Sequence, residues 1–270
     1  MQPLFVVGDV HGHRDVLVGL LRDAGLVDAA DGWVGADATL WLVGDLVDRG
    51  PDGIATIDLV RRLEQESKGG VRCLLGNHEA FLLSVHLVGA EDTGFPGTTF
   101  EDVWLANGGV GRDLRALTSE HVEWLSARPA VAREGEWLLL HADTDAYLDY
   151  GRSVDEVNAS VASVLRSGDP AALDELLEAL CDRLRLAEPG VVDTLVGTFG
   201  GSRIVHGHTP IASVLGRDPR VVDERLIAEG LLRPLGGADE LAVERKAPAV
   251  GGRSGRDPAL LLDLMLSALA

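Results

Sequence analysis

Five short apolar runs, each cut off at once by a glycine or histidine and a polar cluster, constrain this chain more than any other feature. Residues 4–7 run into Gly8-Asp9, 40–43 into Gly44-Asp45, and 71–75 into Gly76-Asn77. Residues 137–140 run into His141-Ala142-Asp143, and 204–205 into His206-Gly207-His208. Continuous runs of this length, rich in Val, Leu and Ile, read as strands buried on both faces. Amphipathic stretches lie between them, over 14–24, 53–66, 79–88, 120–127, 153–165 and 171–186. Gly25 follows the first and Pro51 precedes the second, suitable as a helix stop and a helix start. Strand alternating with helix predicts an α/β architecture. Every polar cluster then falls at the carboxyl end of a predicted strand, where open α/β sheets place their ligand sites. Residues 89–111, rich in Gly, Thr and Asn, read as a long loop over that site.

Composition narrows the class. A chain of 270 residues with 46% hydrophobic and 25% charged residues suits one large soluble domain or two small ones. No apolar run reaches the roughly 18–20 residues needed to span a bilayer. The amino terminus shows no basic region or small-residue cleavage site, so a secretory signal is not expected and the cytoplasm is the natural location. The two cysteines, Cys73 and Cys181, suit a reducing compartment. A formal charge of −19 repels phosphate backbones, which argues against a nucleic acid partner. The organised region is expected over 1–214, with 215–270 an extension of the same domain that ends in an apparent helix over 258–270.

The clusters carry metal chemistry. In extended backbone, residues two apart point to one side, so Asp9 and His11 can share a cation. Taken with Asp45, Asn77, His141 and His208, they form a mixed nitrogen and oxygen set. Such a set suits Mn, Fe or Zn rather than Ca or Mg alone. Each motif alone admits a structural explanation, such as a turn or a helix cap. Five together, each ending a strand, do not.

The motifs GDVHG, GDLVDRG, GNHE, HAD and GHTP resemble those of the calcineurin-like metallophosphoesterases. Within them they are similar to the phosphoprotein phosphatase branch and its bacterial and bacteriophage-lambda members. Asn107-Gly108-Gly109 also has a counterpart there. The resemblance spans about residues 4–210. It implies two mixed β-sheets packed face to face as a sandwich flanked by helices. It also implies two divalent metals, manganese first, with iron, zinc, cobalt or nickel as alternatives. Carried over by motif, Asp9 and His11 hold the first metal, Asp45 bridges, and Asn77, His141 and His208 complete the second site. Water activated there attacks phosphorus in line. His78 matches the general acid, Asp48 its orienting carboxylate, and Arg49 a phosphate-gripping residue.

Some positions depart from the pattern. The branch usually supplies a second arginine after His-Ala-Asp, and here Arg152, Arg183 and Arg185 are candidates by position only. His206 lies upstream of the last motif and reads as packing or support rather than a ligand. Asp143 reads as a contact either to the phosphate edge or to the His141 backbone. The implied activity is hydrolysis of a phosphomonoester, with a phosphoserine or phosphothreonine protein or a small phosphoester as substrate. No nucleic acid or membrane partner is expected, and the oligomeric state is open. The alternative is a symmetrical dinucleoside polyphosphate hydrolase, a group that tends to have Ala where this chain has Asp48. A third reading is a catalytically weak regulatory protein that keeps the metal site. Retention of His78, Asp48 and Arg49 argues against it.

Overall fold

Two small sheets carry the five clusters. The computed structural model describes residues 3–209 and three short strands farther along, Leu232–Pro234, Leu241–Val243 and Asp263–Met265. The first sheet is β1 (Leu4–Val7), β2 (Thr39–Leu42) and β3 (Val71–Cys73), parallel and in that order. Its crossovers contain α1 (Arg14–Asp23) and α2 (Gly53–Ser67), the helical covering that parallel strands need. After β3 come α3 (Asn77–Val88), α4 (Phe100–Ala106), α5 (Gly111–Ala116) and α6 (Ser119–Leu125). The second sheet is mixed. In it β4 (Val131–Glu134) pairs antiparallel with β5 (Trp137–Leu140), and β5 pairs parallel with β6 (Arg203–Val205). Between β5 and β6 run α7 (Tyr147–Tyr150), α8 (Val154–Ser167), α9 (Pro170–Cys181) and α10 (Val191–Phe199).

Alternation along the strands divides the core in two. Leu4, Val6 and Trp41 from the first sheet meet Ala132, Leu139 and Val205 from the second in one buried cluster between the sheets. The opposite faces, with Val7, Leu40, Leu42 and Val71 on one sheet and Val131, Leu138 and Leu140 on the other, pack in a cluster with the helices. Each fully buried Val or Leu side chain contributes about 1.5–3 kcal/mol. The rim between the sheets is tied by Glu134, which accepts from Trp41 Nε1 at 3.3 Å and from Arg72 at 3.0 Å. The expected pair of helix-flanked sheets is therefore present, and the fold is α/β.

Several expectations change in detail. The stretch 89–111 is not all loop, because α4 lies within it. Thr99 caps that helix, accepting from the Asp102 amide at 3.1 Å while Asp102 accepts from the Thr99 amide at 3.0 Å. The helix is too short for an amphipathic period to show. The stretch expected to be helical over 171–186 stops at Cys181 and resumes as a tight turn over Arg185–Ala187. Its break is Leu184, whose φ of +67° is left-handed. The segment 258–270, expected as a helix, contains the strand Asp263–Met265, paired with Leu241–Val243; the remainder lies outside the described residues. An apolar run this short has no period that separates helix from strand. Among the described residues no helix is long and apolar enough to cross a membrane.

Candidate metal centre

The strand ends converge through unusual backbone. Nine non-glycine residues among those described have positive φ, and five of them are His11, Asp45, Asp48, Arg49 and His208. Such backbone costs energy and persists where surrounding contacts enforce it. Here Val10 N and His11 N both donate to Asp45 O, at 2.9 and 2.8 Å, which joins the loops after β1 and β2. Gly44, at φ +101°, lets the next loop in, since a Cβ there would stand 2.6 Å from Gly76 Cα and 2.9 Å from His141 Nδ1. The buried Glu79 carboxylate completes the frame. It accepts from the amides of Asp45 (2.8 Å), Leu46 (2.7 Å), Val47 (3.3 Å) and Gly76 (2.9 Å). Burial pushes Glu79 up to about 7, and the amides of Asp45, Leu46 and Gly76 pull the other way.

Asp45 stands between two groups of imidazoles. Its Oδ2 lies 3.7 Å from His11 Nε2, and its Oδ1 lies 3.3 Å from His141 Nε2. Asn77 Oδ1 lies 2.8 Å from His141 Nε2 and 3.0 Å from His208 Nδ1. The far nitrogen of each imidazole fixes its tautomer. His11 Nδ1 donates to Val47 O (3.1 Å), His141 Nδ1 to Val43 O (2.8 Å) and His208 Nε2 to Cys181 O (3.3 Å). The nitrogens turned toward Asp45 and Asn77 are therefore lone pairs. This is the outer hydrogen bonding that orients histidine ligands at metal sites. Converging acceptors need a cation or a hydrogen-bond donor among them. Either a cation lies among them, or the Asn77 amide turns its nitrogen inward to donate to His141, His208 and Asp45. Asp9 lies at the edge, accepting from His208 N at 3.0 Å with its Oδ2 4.0 Å from His11 Nε2.

Burial sets the charge state. It holds His11 and His78 down to about 3, with His78 and Arg49 as the respective next causes. Burial and then His141 hold His208 down to about 2, and burial lowers His141. All four imidazoles are neutral, the form that binds metal. Asp45 is pushed up, first by burial and then by Asp9 and Glu79, so the pocket favours an added cation. The groups His11, Asp45, His78 and Asp45, His141, His208 each gather donors close enough for one ion. They share Asp45. By motif, Asp9 rather than His78 belongs to the first group. The His78 ring is instead engaged through Nδ1 by Asp48 Oδ2 at 2.9 Å.

On that side, Arg49 donates to His11 Nε2 at 2.9 Å and to His78 Nε2 at 3.3 Å, spanning the two rings. Its own amide donates to Gly108 O at 2.9 Å, which places the Asn107-Gly108-Gly109 triplet against it. On the opposite side, the described hydrogen bonds of Asp143 do not run to the His141 backbone. Asp143 accepts from Leu184 N at 2.8 Å and from the Thr209 hydroxyl, so it ties the break after α9 to the last motif. That turn brings Arg183 to His208 O at 2.7 Å. Arg183, third among the causes that hold His208 down after burial and His141, is the arginine of the three that reaches the cluster. Arg152 and Arg185 line a surface cavity of about 550 Å³ whose lining includes none of the ligand candidates. His206 stands apart, its Nδ1 2.9 Å from Gly207 O. Glu79 has no role assigned by the motif GNHE, and Trp104 belongs to no motif. Glu79 had a signal in its spacing three residues after Gly76, at a helix start.

A family model of calcineurin-like phosphoesterases matches residues 3–212. Symmetrical bis(5'-nucleosyl)-tetraphosphatase of Dechloromonas aromatica is 33% identical over 138 residues, 51% of this chain and 42% of that protein. The enzyme of the same name from Vibrio cholerae is 32% identical over 171 residues, 63% of this chain and 55% of that protein. The chain thus spans about half the length of the curated relatives it matches. Among solved structures, a cold-active protein-tyrosine phosphatase of a Shewanella species superposes with a TM-score of 0.55 at 22% identity, covering 77% of this chain and 68% of that one. That likeness speaks for the fold. With the family motifs matched across most of its length, the chain belongs to the calcineurin-like phosphoesterases.

Proposed function

We propose that this protein hydrolyses phosphate bonds at a two-metal centre, with Asp9, His11 and Asp45 around one divalent cation and Asp45, Asn77, His141 and His208 around the other. The observation that carries this reading is Asp45, whose two carboxylate oxygens face different groups of neutral imidazoles at 3.7 and 3.3 Å. Manganese is the proposed metal, with iron, zinc, cobalt and nickel the alternatives. When bound, the pair supplies Lewis-acid charge and a water activated for in-line attack on phosphorus. Arg49 exchanges its two imidazole partners for phosphate oxygens, a fit for its planar fork. That exchange removes the positive charge that helps hold His78 neutral. His78, its Nδ1–H held by Asp48, then takes up a proton from solvent at the freed Nε2 and gives it to the leaving oxygen. Arg183 closes the far side as a second phosphate contact.

The substrate class we favour is a dinucleoside tetraphosphate cleaved symmetrically, the activity named for the curated relatives that share this region. A specific observation supports a second reading, a phosphoserine or phosphothreonine monoester. It is the His78–Asp48 bond at 2.9 Å, because an alkoxide needs a proton to leave and a nucleotide phosphate needs little help. We assign the catalytic unit to 1–214 and treat 215–270 as its extension. The free cysteines Cys73 and Cys181 suit the reducing cytoplasm. Turnover of diadenosine tetraphosphate, a phosphopeptide and p-nitrophenyl phosphate across a metal series tests the reading. Two molecules of ADP from the first substrate, formed fastest, is the expected result. Faster release of phosphate from the phosphopeptide selects the second reading. No turnover with any metal, despite bound ions, overturns both in favour of a binding protein.

A further inference from the structure

Trp104 belongs to none of the metal-binding motifs, yet its indole ends on the carboxylate that holds His78. The ring is fully buried in α4, at 0% exposure. Its Nε1 donates to Asp48 Oδ2 at 2.8 Å, the same oxygen that accepts from His78 Nδ1 at 2.9 Å. The other oxygen accepts from Val110 N at 3.3 Å. Three donors from three segments therefore set the plane of one carboxylate. An indole N–H only donates, so the contact exists only while Oδ2 presents a lone pair. Burial pushes Asp48 up to about 7, and the Trp104 and Val110 hydrogen bonds act in the opposite direction. Gly109 leaves room for the ring, since a Cβ there would stand 2.7 Å from Trp104 Cγ.

We propose that Trp104 is a positioning residue for leaving-group protonation: by fixing Asp48 it keeps His78 Nε2 turned into the pocket, and so it selects for phosphoesters whose leaving group needs a proton. The inference rests on the hydrolase reading above, with His78 as the acid. The Trp104 indole hydrogen-bonds to Asp48 and to none of the ligand candidates, so its effect divides by substrate rather than by metal content.

The test is Trp104→Phe, which keeps an aromatic ring and removes the donor. Loss of a hydrogen bond to a charged group predicts a fall of about tenfold or more in kcat on a phosphoserine peptide. On p-nitrophenyl phosphate, whose phenolate leaves unaided, kcat stays within about twofold of wild type, a deficit in the acid being felt only where a proton is needed. Metal content by mass spectrometry stays at the wild-type value. Phe100→Leu, a core change on the same helix, serves as the packing control and leaves the ratio of the two rates unchanged. Equal losses on both substrates, an unaltered ratio or loss of metal overturns the proposal. The hydrogen bond has its own readout in the Trp104 indole proton resonance, which shifts in Asp48→Asn; no response there also overturns it. A wild-type protein that turns over neither substrate overturns this inference, and the hydrolase reading falls with it only if diadenosine tetraphosphate is not cleaved either. Wild-type turnover with an unaltered ratio overturns this inference alone.

Discussion

The two sides of the ligand cluster are built to different tolerances. On the His78 side, hydrogen bonds from α3, α4 and the segment after α4 all end on the buried Asp48 carboxylate, at 2.9, 2.8 and 3.3 Å. On the Arg183 side, Asp143 grips the backbone of Leu184, and that residue is 43% exposed. In the proposed mechanism the first side directs a proton, and a proton transfer depends steeply on donor position. The second side presents a charge, and charge acts over a longer distance with less demand on angle. The difference implies that substitutions on the two sides should leave separate kinetic signatures.

The largest effect should come from a change that breaks both sides at once. Asp45→Asn removes the shared carboxylate, so turnover falls below detection and bound metal falls at both positions, as measured by metal analysis of the purified variant. Retention of both ions would show that Asp45 is not the bridge. His78→Asn separates the sides. Turnover of a phosphoserine peptide should fall about 10²–10⁴-fold, the span of general acid catalysis, with both ions retained. Metal loss in this variant would move His78 into the ligand group with His11 and Asp45. Arg183→Ala should raise KM about tenfold, the value of a charge-assisted hydrogen bond, with a smaller change in kcat. A fall in kcat matching that of His78→Asn would erase the contrast between the sides.

The smallest effect lies beneath the first side. Asp113 Oδ2 is buried without a hydrogen-bond partner, and burial, then the nearby Asp48, pushes the group up to about 6. Its native form binds more protons than the unfolded chain between its ordinary value of 3.8 and about 6. Its contribution to stability is thus present below 3.8 and is lost as pH rises through about 6. Asp113→Asn imitates the protonated form. The variant should gain about 2–4 °C in Tm over wild type at pH 8, with the gain gone at pH 4, for a loss of order 1 kcal/mol in a chain of this size. An equal difference at both pH values would place the effect in packing instead.

The contrast also explains what could be read before the fold was known. Asp9, His11, Asp45, Asn77, His141 and His208 were legible because each sits where a buried strand stops, a local pattern of residue types. Asp48, Arg49 and His78 were legible through the motifs that contain them. Trp104 was not, since its partner Asp48 is 56 residues away and its helix is too short for a period to show. Asp143 could not be assigned for the same reason, because its partner Leu184 lies 41 residues on. Arg183 was one of three arginines until the break at Leu184 turned it toward His208. The sheets followed from continuous apolar runs. The strand β4 and the helix α10 were not anticipated, since no polar cluster punctuates them.

Glu79 carries a consequence for how ions enter and leave. Its carboxylate already satisfies the amides of Asp45, Leu46, Val47 and Gly76, so the loop after β2 does not wait for a cation to acquire its shape. Where metal binding and folding are one event, a chelator denatures the domain. In this protein the two should come apart. Stripping should yield a chain with an unchanged circular dichroism spectrum that regains turnover on mixing with metal, without the lag of a refolding step. The centre would then behave as an exchangeable fitting, and the metal it carries would follow supply.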